Sequence, residues 1–252
     1  MVNEKAIFYS SEQSRLFAQT DIQFFITSKH GGFSTAPYET LNLAYHTRDQ
    51  DSSVLLNREM VCKTFFPNKM LLWMDQIHSD KILEVSKQPH KSGFVGKGDA
   101  MVCTEKSFAC MAMVADCNPV LVYEPKIHTF GVIHAGREGV KKRIVSKTIA
   151  HILQNPKAKV ENMLIFIGPS IRKCCYEIGN ELAISFPKKY LIQKDVTYNL
   201  DLIKMLQDEL LSCQIKPSQT EILPTCTCCE KNLFSYRREG ITGRFGLIAA
   251  LR

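Results

Sequence analysis

The 252-residue chain suits one large domain or two small ones, and a hydrophobic share of 45% is ample for a packed core. Its formal charge of +7 comes from basic residues spread along the sequence, which argues against nucleic-acid binding and favours an anionic or phosphate-bearing small ligand. No segment is apolar over the length needed to cross a bilayer, and MVNEKAIFYSSEQSRLFAQ lacks the pattern of a secretory signal, so a soluble cytoplasmic protein is expected.

IQFFIT (22–27) reads as a strand that the glycine pair of KHGGFS ends. Val54, Leu55, Val61 and Phe65 recur at helical spacing and predict a helix over 52–66, with Pro67 beyond its end. The short apolar runs LLWM, ILEV, AMVC, ACMAMVA, PVLVY and FGVI follow, separated by polar or glycine-bearing turns. They describe a large sheet region with some strands buried on both faces.

The run FGVIHAGREG ends a strand abruptly on His134, followed by Ala135 and Gly136. Beyond it Val140, Ile144, Thr148, Ile149 and Ile152 mark one amphipathic helix, with Lys141, Lys142 and Arg143 on its solvated face. MLIFIG (163–168) predicts another strand. Helices are expected near 177–187 and over 200–212, the latter capped by Asn199 or Asp201, and FGLIAAL forms a last strand. No repeat, low-complexity tract or linker interrupts the chain, so residues 1–252 are expected to form a single α/β domain.

Three residues share the strand-end context in which α/β proteins place chemistry. His78 follows LLWM within WMDQIHSD, Cys117 lies between two apolar runs in MVADCNPVLVY, and His134 ends its strand. Two imidazoles and a thiolate would make a three-ligand metal site, whose open fourth position belongs to catalytic rather than structural zinc. The plain alternative makes Cys117 a small core hydrophobe and His134 a buried imidazole bonded to a backbone carbonyl.

The motifs KHGGFS, LNLAYH, LLNRE, DQIHSD, GDAMV, ADCNPVLVYEP, IHAG, IGPSIRKCCYEIG and FSYRREGITGRFGLIAAL occur in that order. Taken together they resemble the family once named polyphenol oxidase (laccase-domain) proteins and since reassigned to purine nucleoside metabolism. The resemblance implies a four-layer α/β/β/α fold with mixed sheets, shared with some cysteine hydrolases. It implies zinc held by the residues matching His78, Cys117 and His134. It further implies phosphorolysis of adenosine, inosine or methylthioadenosine, and deamination of adenosine.

Within that frame Arg58, in LLNRE, is a candidate anion or nucleoside contact, the alternative being an exposed helix charge. Asp99, in GDAMV, could orient a ligand from behind or simply cap a turn. Cys226-x-x-Cys229 and Cys174-Cys175 offer no second CxxC and read as buried packing thiols. After His-Ala-Gly the family usually carries Trp, then Arg or Lys, then Gly. Here Arg137 and Glu138 stand before Gly139, which predicts a weaker phosphate-dependent reaction. The rivals are a Cys117–His134 cysteine hydrolase, a copper oxidoreductase, for which seven histidines are few, and a binding protein with a structural zinc.

Overall fold

The apolar runs pair into two six-stranded sheets that share one core. The computed structural model describes residues 4–85 and 93–252. In chain order the strands are β1 (Ile7–Ser10), β2 (Ile22–Thr27), β3 (Met70–Asp75), β4 (Ile82–Val85), β5 (Phe94–Lys97), β6 (Ala100–Cys103), β7 (Phe108–Val114) and β8 (Asn118–Glu124). They continue as β9 (Thr129–Ala135), β10 (Leu164–Ile167), β11 (Glu177–Ile178), β12 (Leu191–Lys194), β13 (Thr197–Leu200), β14 (Thr220–Ile222) and β15 (Phe245–Leu251). The helices are α1 (Asp51–Phe65), α2 (Arg137–Lys141), α3 (Ile144–Ile152), α4 (Asn180–Ala183), α5 (Leu202–Ser212) and α6 (Tyr236–Glu239).

One sheet runs β1-β2-β15-β7-β3-β5 and the other β14-β10-β8-β9-β6-β4, while β11, β13 and β12 form a small third sheet. Both large sheets are mixed: β3 is parallel to β7 and β5, β6 is parallel to β4, and β8, β9 and β15 pair antiparallel with their neighbours. Their inner faces meet through Phe24, Ile26 and Leu247 from one sheet and Leu121, Phe130 and Phe166 from the other. Phe24 and Phe166 lie 4.5 Å apart between ring centroids across this layer. Truncating Phe166 to Ala would cost about 3–5 kcal/mol, because the lost contacts leave a void that a close-packed core fills only in part.

The outer face of the first sheet is covered by α1, whose Val61 and Phe65 pack with Phe25, Met111 and Ile248. The outer face of the second carries α3 and α5, through Ile144, Ile149, Leu206 and Leu210 against Val120, Ile133 and Ile165. The order is therefore helix, sheet, sheet, helix. Every residue of β7, β8 and β9 is buried because both faces are covered, which explains their unbroken apolar runs.

Three local expectations change. The helix after His-Ala-Gly is two helices, broken where Arg143 adopts a left-handed backbone at φ 61°, although Lys141, Lys142 and Arg143 are exposed as expected. Residues 177–187 give only β11 and the four-residue α4, because 177–178 are drawn into the small sheet by β13. Asp201 alone caps α5, its side chain accepting the Lys204 N–H at 2.9 Å. Among the described residues no helix is long and apolar enough to cross a membrane.

Candidate metal centre and its cavity

The β8–β9 hairpin sets two of the three candidate ligands side by side. Its register pairs Asn118 with Ala135 and Pro119 with His134, so Cys117, just before β8, lies next to the end of β9. His78 arrives from elsewhere, on the segment that crosses from β3 in the first sheet to β4 in the second. Its backbone is left-handed at φ 55°, an uncommon state for a non-glycine residue that needs outside support. Asp99 supplies it: the His78 N–H donates to Oδ1 at 3.0 Å, and the Ser79 N–H and hydroxyl donate to Oδ2 at 2.6 and 2.7 Å.

The same Asp99 carboxylate, fully buried, accepts a hydrogen bond from His134 Nδ1–H at 2.8 Å. That bond leaves His134 Nε2 for Cys117 and fixes the ring. The His78 and His134 rings stand edge to face with centroids 4.7 Å apart, and His78 Nε2 lies 3.9 Å from Cys117 Sγ. One ligand atom from each of the three residues falls within 4.8 Å of the others. Gly136 borders them: a Cβ there would sit 3.0 Å from His78 Cδ2 and 3.1 Å from Cys117 Sγ. The donor set, its spacing and the cleared approach all fit a metal ion bound by three protein ligands.

Burial opposes charge on both partners, yet His134 and His78 draw the Cys117 thiol down to about 6. Against the same burial, Cys117 and Asp99 lift His134 to about 9. In the metal-free chain the two therefore form a thiolate–imidazolium pair. Asp99 is held below the usual carboxylate range, since the hydrogen bonds from His134 and Ser79 outweigh its own desolvation.

The trio opens on a cavity of about 660 Å³. Arg137, Arg237 and Arg244 give its lining a cationic character, His46 is pushed towards its neutral form by burial and by Arg244, and Tyr176 and Tyr236 give it aromatic faces. Asp116, immediately before Cys117, ties the lining together from a left-handed backbone at φ 98°. Its carboxylate accepts the Thr227 hydroxyl at 2.6 Å, the Ser235 hydroxyl at 2.8 Å and the Arg237 N–H at 2.7 Å. Gln76 ties β3 to β7 by exchanging two hydrogen bonds with the backbone of Met113.

Residues 23–252 match the family described as multi-copper polyphenol oxidoreductase laccase. The chain belongs to this laccase-domain family. A purine nucleoside phosphorylase of Corynebacterium glutamicum is 32% identical over 224 residues, covering 86% of this chain and 89% of that protein. The purine nucleoside phosphorylase YfiH of Escherichia coli strain K12 is 29% identical over 226 residues, again 86% of this chain and 89% of its own. The crystal structure of YlmD from Geobacillus stearothermophilus aligns with a TM-score of 0.88 at 26% identity, over 95% of this chain and 94% of that one. The α/β/β/α layers found here are thus the fold of these laccase-domain proteins.

Of the residues singled out in this laccase-domain sequence, His78, Cys117, His134 and Asp99 come together. His134 is bonded to a carboxylate, not to the backbone carbonyl that the core-imidazole alternative required, and Asp99 both orients that ring and closes the turn at His78. Arg58 stays apart. It is 5% exposed, stacked 4.2 Å from the Tyr45 ring centroid and 4.5 Å from that of Trp73, with Nε donating to the Leu43 carbonyl at 2.7 Å. Burial lowers its pKa to about 10, and it is neither an exposed helix charge nor part of the cavity lining. Arg137 does line the cavity, whereas Glu138 does not; it accepts a hydrogen bond from Arg137 Nε at 3.2 Å.

The expectation of buried packing thiols holds for Cys226 and fails for Cys174 and Cys229, with Cys175 half-buried. Cys174 and Cys229 are exposed, and the four sulfurs lie within 4.8 Å of one another. Sequence reasoning also missed Arg237 and Arg244, although both stand in the polar motif FSYRREGITGR that precedes the last strand.

Proposed function

We propose that this chain is a zinc-dependent purine nucleoside enzyme that carries out phosphorolysis of adenosine, inosine or methylthioadenosine and deamination of adenosine. The observation that carries this reading is the convergence of His78, Cys117 and His134 on a cavity lined by three arginines and two tyrosines. The names of the Corynebacterium and Escherichia relatives support it. Residues 1–252 would act as one nucleoside-processing domain in the cytoplasm, with nucleoside and phosphate as small-molecule partners.

His78, Cys117 and His134 would hold the ion, leaving a fourth position open. Bound there, zinc supplies a Lewis acid able to activate water near neutral pH or to polarise a substrate oxygen. The chain does the rest. Asp99 keeps the His134 proton on Nδ1, so the ring presents a fixed nitrogen to the site. Arg137, Arg237 and Arg244 offer the positive charge that holds a phosphate dianion against the sugar's anomeric carbon. The rings of Tyr176 and Tyr236 offer flat faces to a purine.

In phosphorolysis a phosphate oxygen bonds to the anomeric carbon while the carbon–nitrogen bond breaks, its electrons leaving with the purine, which takes up a proton. In deamination a water oxygen adds to the purine ring carbon that bears the amine, and ammonia leaves. The anion-holding role that the sequence suggested for Arg58 passes to the three cavity arginines. Arg58 then braces Tyr45, beside His46 of the lining. Pairing with Glu138 offsets the charge of Arg137, which agrees with a weakened phosphate-dependent reaction.

One observation favours a second reading. The thiolate–imidazolium pair is also the arrangement of a metal-free cysteine hydrolase, with Cys117 as nucleophile and His134 as the base that has already taken its proton. A multicopper centre has less support, since the clusters of possible ligands among the described residues contain His78 and His134 and no further histidine. The test is turnover of adenosine with and without phosphate. Adenine with ribose 1-phosphate, and separately inosine, are the expected products, and His78→Ala lowers both. Loss of one with the other intact would mean that the two reactions do not share a site.

A further inference from the structure

The four remaining clustered cysteines come from two distant stretches of chain. Cys174 and Cys175 lie in a tight turn in which the N–H groups of Cys175 and Tyr176 both donate to the Arg172 carbonyl at 2.9 Å. In an extended strand adjacent side chains point to opposite faces, but such a helix-like turn sets them at roughly a right angle, so both sulfurs can reach one point. Cys226 and Cys229 lie in a second turn, closed by the Cys229 and Glu230 N–H groups on the Cys226 carbonyl at 3.1 and 2.9 Å.

The sulfurs of Cys175 and Cys229 are 3.4 Å apart, and those of Cys174 and Cys229 are 4.0 Å apart. In a tetrahedral zinc site with metal–sulfur bonds of about 2.3 Å, neighbouring sulfurs are separated by about 3.8 Å. All four cysteines are free thiols, and none of these distances is near the sulfur–sulfur bond length of about 2.05 Å. Packing does not explain them, because Cys174 and Cys229 face solvent. An iron–sulfur cluster would divide the four sulfurs among two or four irons and spread at least some pairs further than the 4.8 Å observed.

The surroundings suit a thiolate-rich ion. The backbone N–H of Arg172 points at Cys226 Sγ from 3.4 Å, a dipole that favours the ionised sulfur. The Arg172 side chain is half-buried alongside, with Nε donating to the Thr225 carbonyl at 3.2 Å and Nη2 to the Gly168 carbonyl at 3.0 Å, while Nη1 is buried with no hydrogen-bond partner among the described residues. Its positive charge would offset the excess negative charge of four thiolates around a divalent ion.

We propose that Cys174, Cys175, Cys226 and Cys229 form a closed, four-sulfur zinc site, separate from the His78–Cys117–His134 centre, that staples two parts of the cavity lining together. Binding forms four zinc–sulfur bonds, releases to solvent the proton of each cysteine that is a thiol beforehand, and transfers no electrons. With four protein ligands the site keeps no open position, so its role is structural. The parts joined are the segment carrying Ile171 and Tyr176 and the segment carrying Tyr236 and Arg237, all four of which line the cavity. The protein contacts already joining the two segments include the Ser170–Cys226 bridge and the bond from Arg237 Nη1 to the Glu177 carbonyl.

Zinc content of the full chain, purified under reducing conditions and reloaded with zinc, tests this. Wild type should hold about two ions per chain and Cys117→Ala about one, on the two-site argument. Cys174→Ser with Cys229→Ser in the Cys117→Ala background should hold none. Cobalt-loaded Cys117→Ala should show the strong charge-transfer absorption of four thiolate ligands. A second measurement needs no variant: zinc should protect these four cysteines of wild type from alkylation, read by peptide mass spectrometry. The proposal is overturned if Cys117→Ala holds no zinc, if the triple variant keeps an ion, or if zinc leaves the alkylation of the four thiols unchanged.

Discussion

Asp99 Oδ1 accepts a hydrogen bond from His134 Nδ1–H at 2.8 Å, and the same oxygen accepts one from the backbone N–H of His78. One buried carboxylate therefore positions two proposed ligands at once, through a side chain in one case and a strained backbone in the other. Asp99→Asn keeps the size but removes the charge and one acceptor. Zinc affinity should fall about 10- to 100-fold, the usual cost of losing a group that orients a metal-bound imidazole. Competition with a chromophoric chelator measures it, and an unchanged affinity would show that Asp99 only closes the turn.

Zinc uptake should depend on pH in a way set by the Cys117–His134 pair. Between about 6 and about 9, the values of Cys117 and His134 in the metal-free chain, the thiol is ionised and the imidazole protonated. Zinc must then displace the His134 proton, so affinity from this pair rises about tenfold per pH unit. Below about 6 Cys117 is protonated too, and the dependence steepens towards a hundredfold per unit. Calorimetry in buffers of different ionisation enthalpy near neutral pH should register the released proton; zero release would mean that the pair is not ionised as described.

Gly136→Ala probes the cleared approach to the centre. The backbone there, at φ −70°, accepts alanine, so the fold should survive. The added methyl would press on His78 and Cys117. An overpacking cost of about 1–3 kcal/mol confined to the metal-loaded state corresponds to roughly a 5- to 150-fold loss of zinc affinity. Full zinc binding by a folded Gly136→Ala chain would show that the ligands sit farther from Gly136 once loaded.

Arg58→Ala should act on stability before chemistry. It strands the Leu43 carbonyl and removes a cation stacked on Tyr45 and Trp73. A loss of about 2–4 kcal/mol in urea unfolding is expected, with phosphorolysis and deamination reduced together. A selective rise in the phosphate concentration needed for half-maximal rate would instead place Arg58 in direct contact with phosphate.

Much of the fold and part of the centre were legible in the residues. Apolar runs located β2, β7, β8, β9 and β15, because every position is buried in the last four and all but Gln23 in β2, which keeps the runs largely apolar. The closeness of Cys117 and His134 follows from a hairpin across EPKIHT. His78 reaches them by a crossover between sheets, and no local pattern encodes that; only the ordered motifs pointed to it. The clustering of four thiols was missed because adjacent cysteines look divergent until the turn at 173–175 brings both towards Cys226 and Cys229. Arg58 was misjudged for a related reason: burial between two aromatic rings is a tertiary property, and the helical spacing of α1 does not carry it.

A metal held by His78, Cys117 and His134 is what we propose makes this chain a nucleoside enzyme. The most direct measurement follows adenosine turnover through removal of zinc by a strong chelator and its return, with phosphate present and absent. Adenine and inosine formation should both fall to background on removal and both recover when zinc is restored, while His134→Ala stays inactive throughout. Undiminished turnover by rigorously zinc-free protein, accompanied by a covalent adduct on Cys117, would contradict the account and establish the metal-free hydrolase in its place.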